Sequence, residues 1–214
     1  MSLSTDKKAA SRDYFDRHAA RYETGRRWRS VKGAQAGAIE LLQLQAGDRL
    51  LDVGCGTGAA VRAATPIVSR AVGLDLSPQM IAEAKRRAQG IAGAAFELGD
   101  SEHLPFADAE FTAVLCTTSL HHYPHPDLAI GEMARVLAPN GRVVIGDANR
   151  DRFAIRLLDR LARRFQKSHA RILNSSELKR LLRDVGLVSV GVRSFGHGGY
   201  MLALGRKPSE PKDG

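Results

Sequence analysis

Cysteine is scarce in this chain. Its two cysteines, Cys55 and Cys116, stand far apart, and neither has a CxxC partner. That argues against a zinc site or a disulfide framework. It leaves two reduced, structural thiols of the kind expected in a cytoplasmic protein. Long apolar runs are also missing. None approaches the roughly 18 residues needed to cross a bilayer, so no transmembrane segment is expected. The opening MSLSTDKKAASRDYF is polar and lacks the apolar core of a signal peptide. There is no internal repeat, and only the end, RKPSEPKDG, is of low complexity and expected to fray. Acids are outnumbered, with 32 Lys and Arg against 23 Asp and Glu, a formal charge of +9. Such an excess favours acidic partners: nucleic acid, anionic lipid or a negatively charged small molecule. It does not choose among them, and a solvated basic surface is the plainer reading.

What is present is an ordinary globular composition, 43% hydrophobic and 26% charged over 214 residues. Residues 6–23 carry Phe15, His18, Ala19 and Tyr22 at helical spacing. A second helical pattern runs through AIELLQL, with Gly47 closing it and Asp48 turning the chain. Strand and helix then alternate. RLLDVG, RAVGLDL, AAFELGD, FTAVLCTTS and GRVVIGDA read as strands. Between them lie a short helix cut off by Pro66, a helix capped by Ser77 with Pro78 at its first position, and a helix opened by Pro126 and Asp127 that stops before Pro139-Asn140-Gly141. SSELKRLLRDVG is a last helix, and LVSVGVRSF and GYMLALGRK are two strands joined by a GHGG turn. The spacing predicts an α/β fold: a Rossmann-like, seven-stranded, mostly parallel sheet with an antiparallel final hairpin strand and helices on both faces. Ligands of such sheets bind at the carboxyl ends of the strands.

Those ends carry the chemistry. In RLLDVGCGTG, three glycines follow an aspartate, and the spacing Gly54-x-Gly56-x-x-Ala59 fits a dinucleotide fingerprint loosely. Asp52 does not belong to that fingerprint. Asp75 ends the second strand, about 20 residues past the glycines, where an acid accepts from ribose hydroxyls, and Asp100 ends the third. One such acid is ordinary turn chemistry; three at successive strand ends are a pattern. A carboxylate at the loop repels the pyrophosphate of NAD. It attracts an ammonium and a sulfonium, as in S-adenosylmethionine. The glycines let the backbone approach closely, and their N–H groups are expected to meet the carboxylate of such a ligand.

LLDVGCGTG resembles the first motif of class I S-adenosylmethionine-dependent methyltransferases. AVGLDLSPQMIAEAKRRA resembles the second, and the stretch from ELGDSEHLPF to GRVVIGD is similar to the third through fifth, in order. The likeness is close over residues 45–150 and lies with the small-molecule, quinone-biosynthesis-like subgroup. It implies S-adenosylmethionine as cofactor, S-adenosylhomocysteine as product, and a small-molecule acceptor, which the basic stretch 150–172, if it is a lid, would favour as anionic or amphipathic. It also implies roles. Asp52, Gly54, Cys55 and Gly56 contact the methionine part, and Gly58 serves the turn. Asp75 holds the ribose, and Leu76 and Met80 pack on the adenine. Asp100 accepts from the adenine amino group, the Ser101 N–H reads a ring nitrogen, and Thr117 flanks the methionine end. Phe15 and Tyr22 close over the cofactor, although plain core packing is an equal reading for Tyr22.

Transfer from a sulfonium needs mainly positioning and desolvation. His121 and His122 are the candidate bases, with His122 alternatively a pocket wall. HHYPHPD also offers His125 and Asp127 to a metal, but its spacing matches no zinc signature, and no metal is expected. The implied organisation is a helical cap over the cofactor site (1–45), a cofactor-binding core (46–149), a helical insert able to act as substrate lid (150–174), a helix and strand pair completing the sheet (175–207), and a tail (208–214). The insert carries Phe153, Leu157, Leu161 and Phe165 on one face and Arg152, Arg156, Arg160, Arg163 and Lys167 on the other. A solvated amphipathic helix, a lid, and a basic surface for membrane or RNA all fit it. Two other functions compete. The charge suggests an RNA (tRNA) methyltransferase, but no Asn-Pro-Pro-Tyr sequence or RNA-binding module appears, so nucleic acid is the weaker partner. The other is a non-catalytic S-adenosylmethionine-binding protein.

Overall fold

The computed structural model describes residues 3–24, 26–196 and 198–209, leaving aside the side chains of 3–5, 26, 27, 29 and 30. His197 of the expected GHGG turn and residues 210–214 of the expected tail lie outside these residues. The elements in order are α1 (Leu3–His18), α2 (Arg26–Leu42), β1 (Arg49–Val53), α3 (Ala59–Ala64), β2 (Arg70–Asp75), α4 (Pro78–Arg87), β3 (Ala94–Leu98), β4 (Phe111–Thr117), α5 (Pro126–Val136), β5 (Leu137–Ala148), α6 (Phe153–Phe165), α7 (Ser175–Asp184), β6 (Val188–Phe195) and β7 (Tyr200–Arg206). The strands form one seven-stranded sheet in the order β3-β2-β1-β4-β5-β7-β6. β1 to β5 pair in parallel, and β7 lies antiparallel between β5 and β6. The expected sheet, with its antiparallel final strand, is the observed one.

Alternation along the strands sorts side chains onto two faces. Leu51 and Val53 of β1, Val114 and Cys116 of β4 and Val143 and Ile145 of β5 join Ile130 and Met133 of α5 and Leu178 and Leu182 of α7 in one core. Leu50, Leu115 and Val144 face the other way, onto Ala38 and Leu42 of α2, Val61 of α3 and Ile81 and Ala84 of α4. Asp52 follows Leu51, so it points to the α2–α3 side, and its register partners are Gly73 on β2 and Leu115 on β4. The chain reverses direction of winding between β1 and β4, which puts the switch point beside Asp52.

The caps follow local chemistry. Ser77 accepts from the Met80 N–H at 3.0 Å with Pro78 inside the first turn of α4. Asn174 and Glu177 form a reciprocal capping box on α7. Two boundaries differ from expectation. α2 stops at Leu42 rather than near Gly47, because Gln43 takes a left-handed φ of 50°. Asp48 still turns the chain, accepting from the Gln45 N–H at 2.7 Å and from Thr112 Oγ1 at 2.7 Å. β5 begins at Leu137, and Pro139-Asn140-Gly141 lies within it as an irregularity of register, with Asn140 at φ 61° and its N–H donated to Lys207 O.

Candidate functional site

A cleft of about 690 Å³ opens over the carboxyl ends of β1, β2 and β4. Within it lie Gly54 and Gly56 from the first strand end, Asp75, Leu76 and Met80 from the second, Asp100 and Ser101 from the third, Thr117 and His122 after the fourth, and Phe15 and Tyr22 from above. A smaller cavity of about 250 Å³ shares Tyr22, Gly54, Gly56 and Thr117 with it and adds Cys55, Trp28 and Gln35. Thus eleven of the residues singled out from the sequence share one cleft. Asp52, Cys55, Gly58 and His121 do not line it.

The glycine loop explains part of that division. At Gly54, φ is 75° and a Cβ would stand 2.6 Å from Ser119 and from Tyr123 Oη. Only a glycine lets the loop pass so close beneath the β4 end. At Gly58, φ is 77° and a Cβ would stand 2.4 Å from Phe96. Gly58 therefore serves the packing of α3 on β3 and has no place in the cleft. The loop N–H groups are also used internally. Gly54 and Cys55 both donate to Leu74 O, at 2.8 and 3.0 Å, and Gly56 donates to Asp75 Oδ2 at 2.8 Å. This corrects the expectation that they await a ligand carboxylate: the strand beside them takes them first.

The three acids differ in environment. Asp75 faces the cleft, and its oxygens accept from the Gly56 and Ser77 N–H groups, at 2.8 and 2.9 Å. Burial raises its pKa, against the pull of those amides. Each oxygen keeps a lone pair for a further donor. Asp100 is held below the usual carboxylate range. Burial pushes it up, but the Lys8 ammonium at 2.6 Å and the Glu102 N–H at 3.0 Å outweigh burial. Asp52 is the exception. It is 1% exposed, and neither of its oxygens has a hydrogen-bond partner among the described residues. Burial, and then the charge of Asp75, pushes its carboxyl up to about 7. Buried carboxylates are normally paired. This one lies two residues before Gly54, on the strand that carries the glycine loop, and among the described residues it lacks a cationic or hydrogen-donating partner.

After β4 the two histidines part company. His122 lines the cleft. Its Nδ1 meets the Ser168 carbonyl at 2.7 Å, so Nδ1 carries the proton and Nε2 is a bare acceptor. Burial, and then His121, pushes its imidazole down to about 3. His121 lies behind it, bound to Asp147 through its N–H at 2.9 Å and its Nδ1 at 2.7 Å. Burial pushes Asp147 up, but the His121 ring and the Ala148 and His121 N–H groups outweigh that and hold it low. His121 is thus placed to orient its neighbour rather than to face the cleft. Among the described residues no group of three or more His, Cys, Asp or Glu is arranged to hold a metal ion. Cys55 and Cys116 are both buried and free.

Sequence reasoning named the roof residues, Phe15 and Tyr22, and missed the latches that hold them. Phe15 lies edge-on to His122, with ring centroids 4.9 Å apart, and Tyr22 lies 6.2 Å from Phe15 and 6.0 Å from Trp28. The ring of Tyr22 covers the loop, 3.6 Å from where a Cβ on Gly56 would stand. Lys8 bridges Asp100 and Glu102, at 2.6 and 2.5 Å. Asp16 accepts from Ser77 Oγ at 2.5 Å. Glu23 binds Thr57 Oγ1 at 2.6 Å, Arg62 at 2.8 Å and Arg87 at 2.9 Å. Three charged side chains of the N-terminal segment so tie it to three strand-end loops. Their only sequence signal was their helical register with Phe15 and Tyr22.

Comparison with known proteins fits this geometry. Residues 51–145 match the family described as Methyltransferase domain. A demethylmenaquinone methyltransferase of Renibacterium salmoninarum is 30% identical over 207 residues, covering 87% of this chain and 83% of that protein. The 27-O-demethylrifamycin SV methyltransferase of Amycolatopsis mediterranei is 41% identical over 111 residues, 50% of this chain and 41% of that protein. The chain spans about half the length, or less, of several curated relatives that it matches, from 35 to 56% for four of them. The structure of a Haemonchus contortus phosphoethanolamine N-methyltransferase with phosphomonomethylethanolamine and S-adenosylhomocysteine superposes with a TM-score of 0.76 at 16% identity, over 98% of this chain and 61% of that one.

Proposed function

The chain belongs to the class I S-adenosylmethionine-dependent methyltransferase family, and from that membership we propose that it transfers a methyl group to a small organic acceptor bound in the cleft. The observation that carries the reading is the buried carboxylate of Asp52 beneath the glycine loop, which has no partner among the described residues. Its need for a cation fits the ammonium of S-adenosylmethionine and does not fit a pyrophosphate. Asp75 supplies free lone pairs for the ribose hydroxyls, and Leu76 and Met80 supply an apolar bed for the adenine. Asp100 and the Ser101 N–H stand at the edge of that bed. When bound, the cofactor supplies a methyl group already activated on a sulfonium.

The chain's own residues then have two tasks. Phe15 and Tyr22 exclude water from above the loop, which strengthens every charge interaction beneath them. His122, neutral because its imidazole is pushed down to about 3, presents Nε2 as a hydrogen-bond acceptor. That holds an acceptor hydroxyl or amine in line, and the proton it loses on methylation passes to water rather than to His122, so transfer rests on positioning. A small organic acceptor is supported by relatives named for 27-O-demethylrifamycin SV, a fatty acid and demethylmenaquinone.

The test is a screen of small hydroxylated, phenolic and amphipathic acceptors with a deuterated methyl donor, read by product mass. A product heavier by one labelled methyl group is expected for at least one class. Methylation of bulk tRNA with no small-molecule product would overturn the reading.

A further inference from the structure

α6 is amphipathic, yet its apolar side stays largely exposed among the described residues. Asp159 is buried and Ile155 and Ala162 are half-buried, at helical spacing, so these three face the body. Phe153, Leu157, Leu158, Leu161 and Phe165 are 76, 49, 59, 48 and 77% exposed. Scattered apolar side chains on a surface are ordinary; five on one short helix form a patch. At 100° per residue, Arg156, Arg160 and Arg163 line the flank beside this patch, and Arg164 falls within it, between Phe153 and Leu157.

The helix is not loose. Asp159 Oδ1 accepts from His169 Nε2 and from the Ile172 N–H, each at 2.9 Å. Asp159 is also the only acid in the helix; it points inward and pairs with Arg163 at 3.4 Å, which leaves Arg156, Arg160 and Arg164 as the cationic part of the outer surface. A second copy docking stripe to stripe would bring two arginine rows together. An anionic lipid surface satisfies both halves at once, with leucines and phenylalanines in the acyl boundary and arginines at the headgroups.

We propose that α6 is an interfacial helix that seats this protein on an anionic bilayer. At 13 residues it is too short to span one, and lying in the interface plane suits its length. Ser168, just past the helix, bonds to His122 at 2.7 Å, and His122 lines the cleft. Docking through α6 therefore places one cleft wall next to the lipid. The inference stands apart from methyl transfer, since it rests on α6 alone.

The experiment is flotation of the full chain with vesicles of phosphatidylcholine, with or without phosphatidylglycerol. Binding is expected only where phosphatidylglycerol is present. The pair Leu157→Ser and Leu161→Ser, both at exposed positions, should lower the partition coefficient about tenfold or more. Arg160→Gln should lower it about fivefold. An unchanged melting temperature in these variants shows that the fold is intact. Absence of binding to either vesicle would overturn the proposal. So would binding that persists undiminished in the double serine variant, or a dimer in solution that those serines dissolve.

Discussion

Replacing Asp52 by asparagine should make the ligand-free protein more stable as the pH rises. In the folded chain, burial and the Asp75 charge move this carboxyl up to about 7 from an ordinary 3.8. The folded state therefore holds the proton more tightly than the unfolded chain does. Stability from this group is complete below about pH 4 and is lost as the pH climbs towards 7. Each pH unit in that window removes about 1.4 kcal/mol, so the native chain loses about 2 to 3 kcal/mol between pH 5 and pH 8. Asparagine does not titrate. Its buried amide keeps a cost of about 1 to 3 kcal/mol at every pH, because the site offers it no partner either. The difference in unfolding free energy should thus move towards Asp52→Asn by about 2 to 3 kcal/mol from pH 5 to pH 8. For a chain of this length that is roughly 4 to 12 °C in melting temperature. Thermal unfolding followed by circular dichroism at the two pH values measures it. With saturating S-adenosylhomocysteine the order should reverse at pH 8, since an ammonium beside Asp52 removes the native penalty. A stability difference that does not change with pH would refute the buried-charge reasoning.

Asp75→Ala should weaken S-adenosylhomocysteine binding by about 1 to 3 kcal/mol, read by calorimetry, because ribose hydroxyls lose a buried partner; equal affinity removes the ribose role. His122, pushed down to about 3, is neutral across the working range, so the pH–rate profile from pH 5.5 to 9 should carry no inflection from it. An inflection near 6.5 that disappears in His122→Gln would mean that His122 takes a proton after all. Gly58→Ala should cost roughly 2 to 4 kcal/mol in urea unfolding, from positive φ and overpacking against Phe96. Gly186→Ala, at φ 81° with nothing within 4 Å, should cost about 1 to 2 kcal/mol, from the backbone alone.

The sheet was legible because its signals are local. The central strands are apolar runs, and β1, β2 and β3 carry or lead to Asp52, Asp75 and Asp100, while β4 runs into Thr117 and Thr118. The same locality made Ser77 readable as a cap and Asp48 as a turn. The failures are tertiary. That the Gly54 and Cys55 N–H groups go to Leu74 O depends on how two strands end side by side, which no spacing reveals. Lys8 reaches Asp100 across 92 positions of sequence, and nothing in its neighbourhood marks it. His121 and His122 are adjacent in sequence, yet the 3-10 turn at Leu120–His122 sends one to Asp147 and the other to the cleft. The stripe on α6 was visible, but its exposure was not, because periodicity shows that a face is apolar and says nothing about what covers it.

The central claim, that Asp52 awaits the ammonium of S-adenosylmethionine or its product, is tested most directly by calorimetric titration at pH 7 with S-adenosylhomocysteine and, separately, with NADH. Two buffers of different ionisation enthalpy report the protons exchanged. S-adenosylhomocysteine is expected to bind with release of a fraction of a proton, as its ammonium draws the Asp52 carboxyl down from about 7, and that release should vanish in Asp52→Asn. Binding of NADH without binding of S-adenosylhomocysteine would contradict the assignment of the whole cleft.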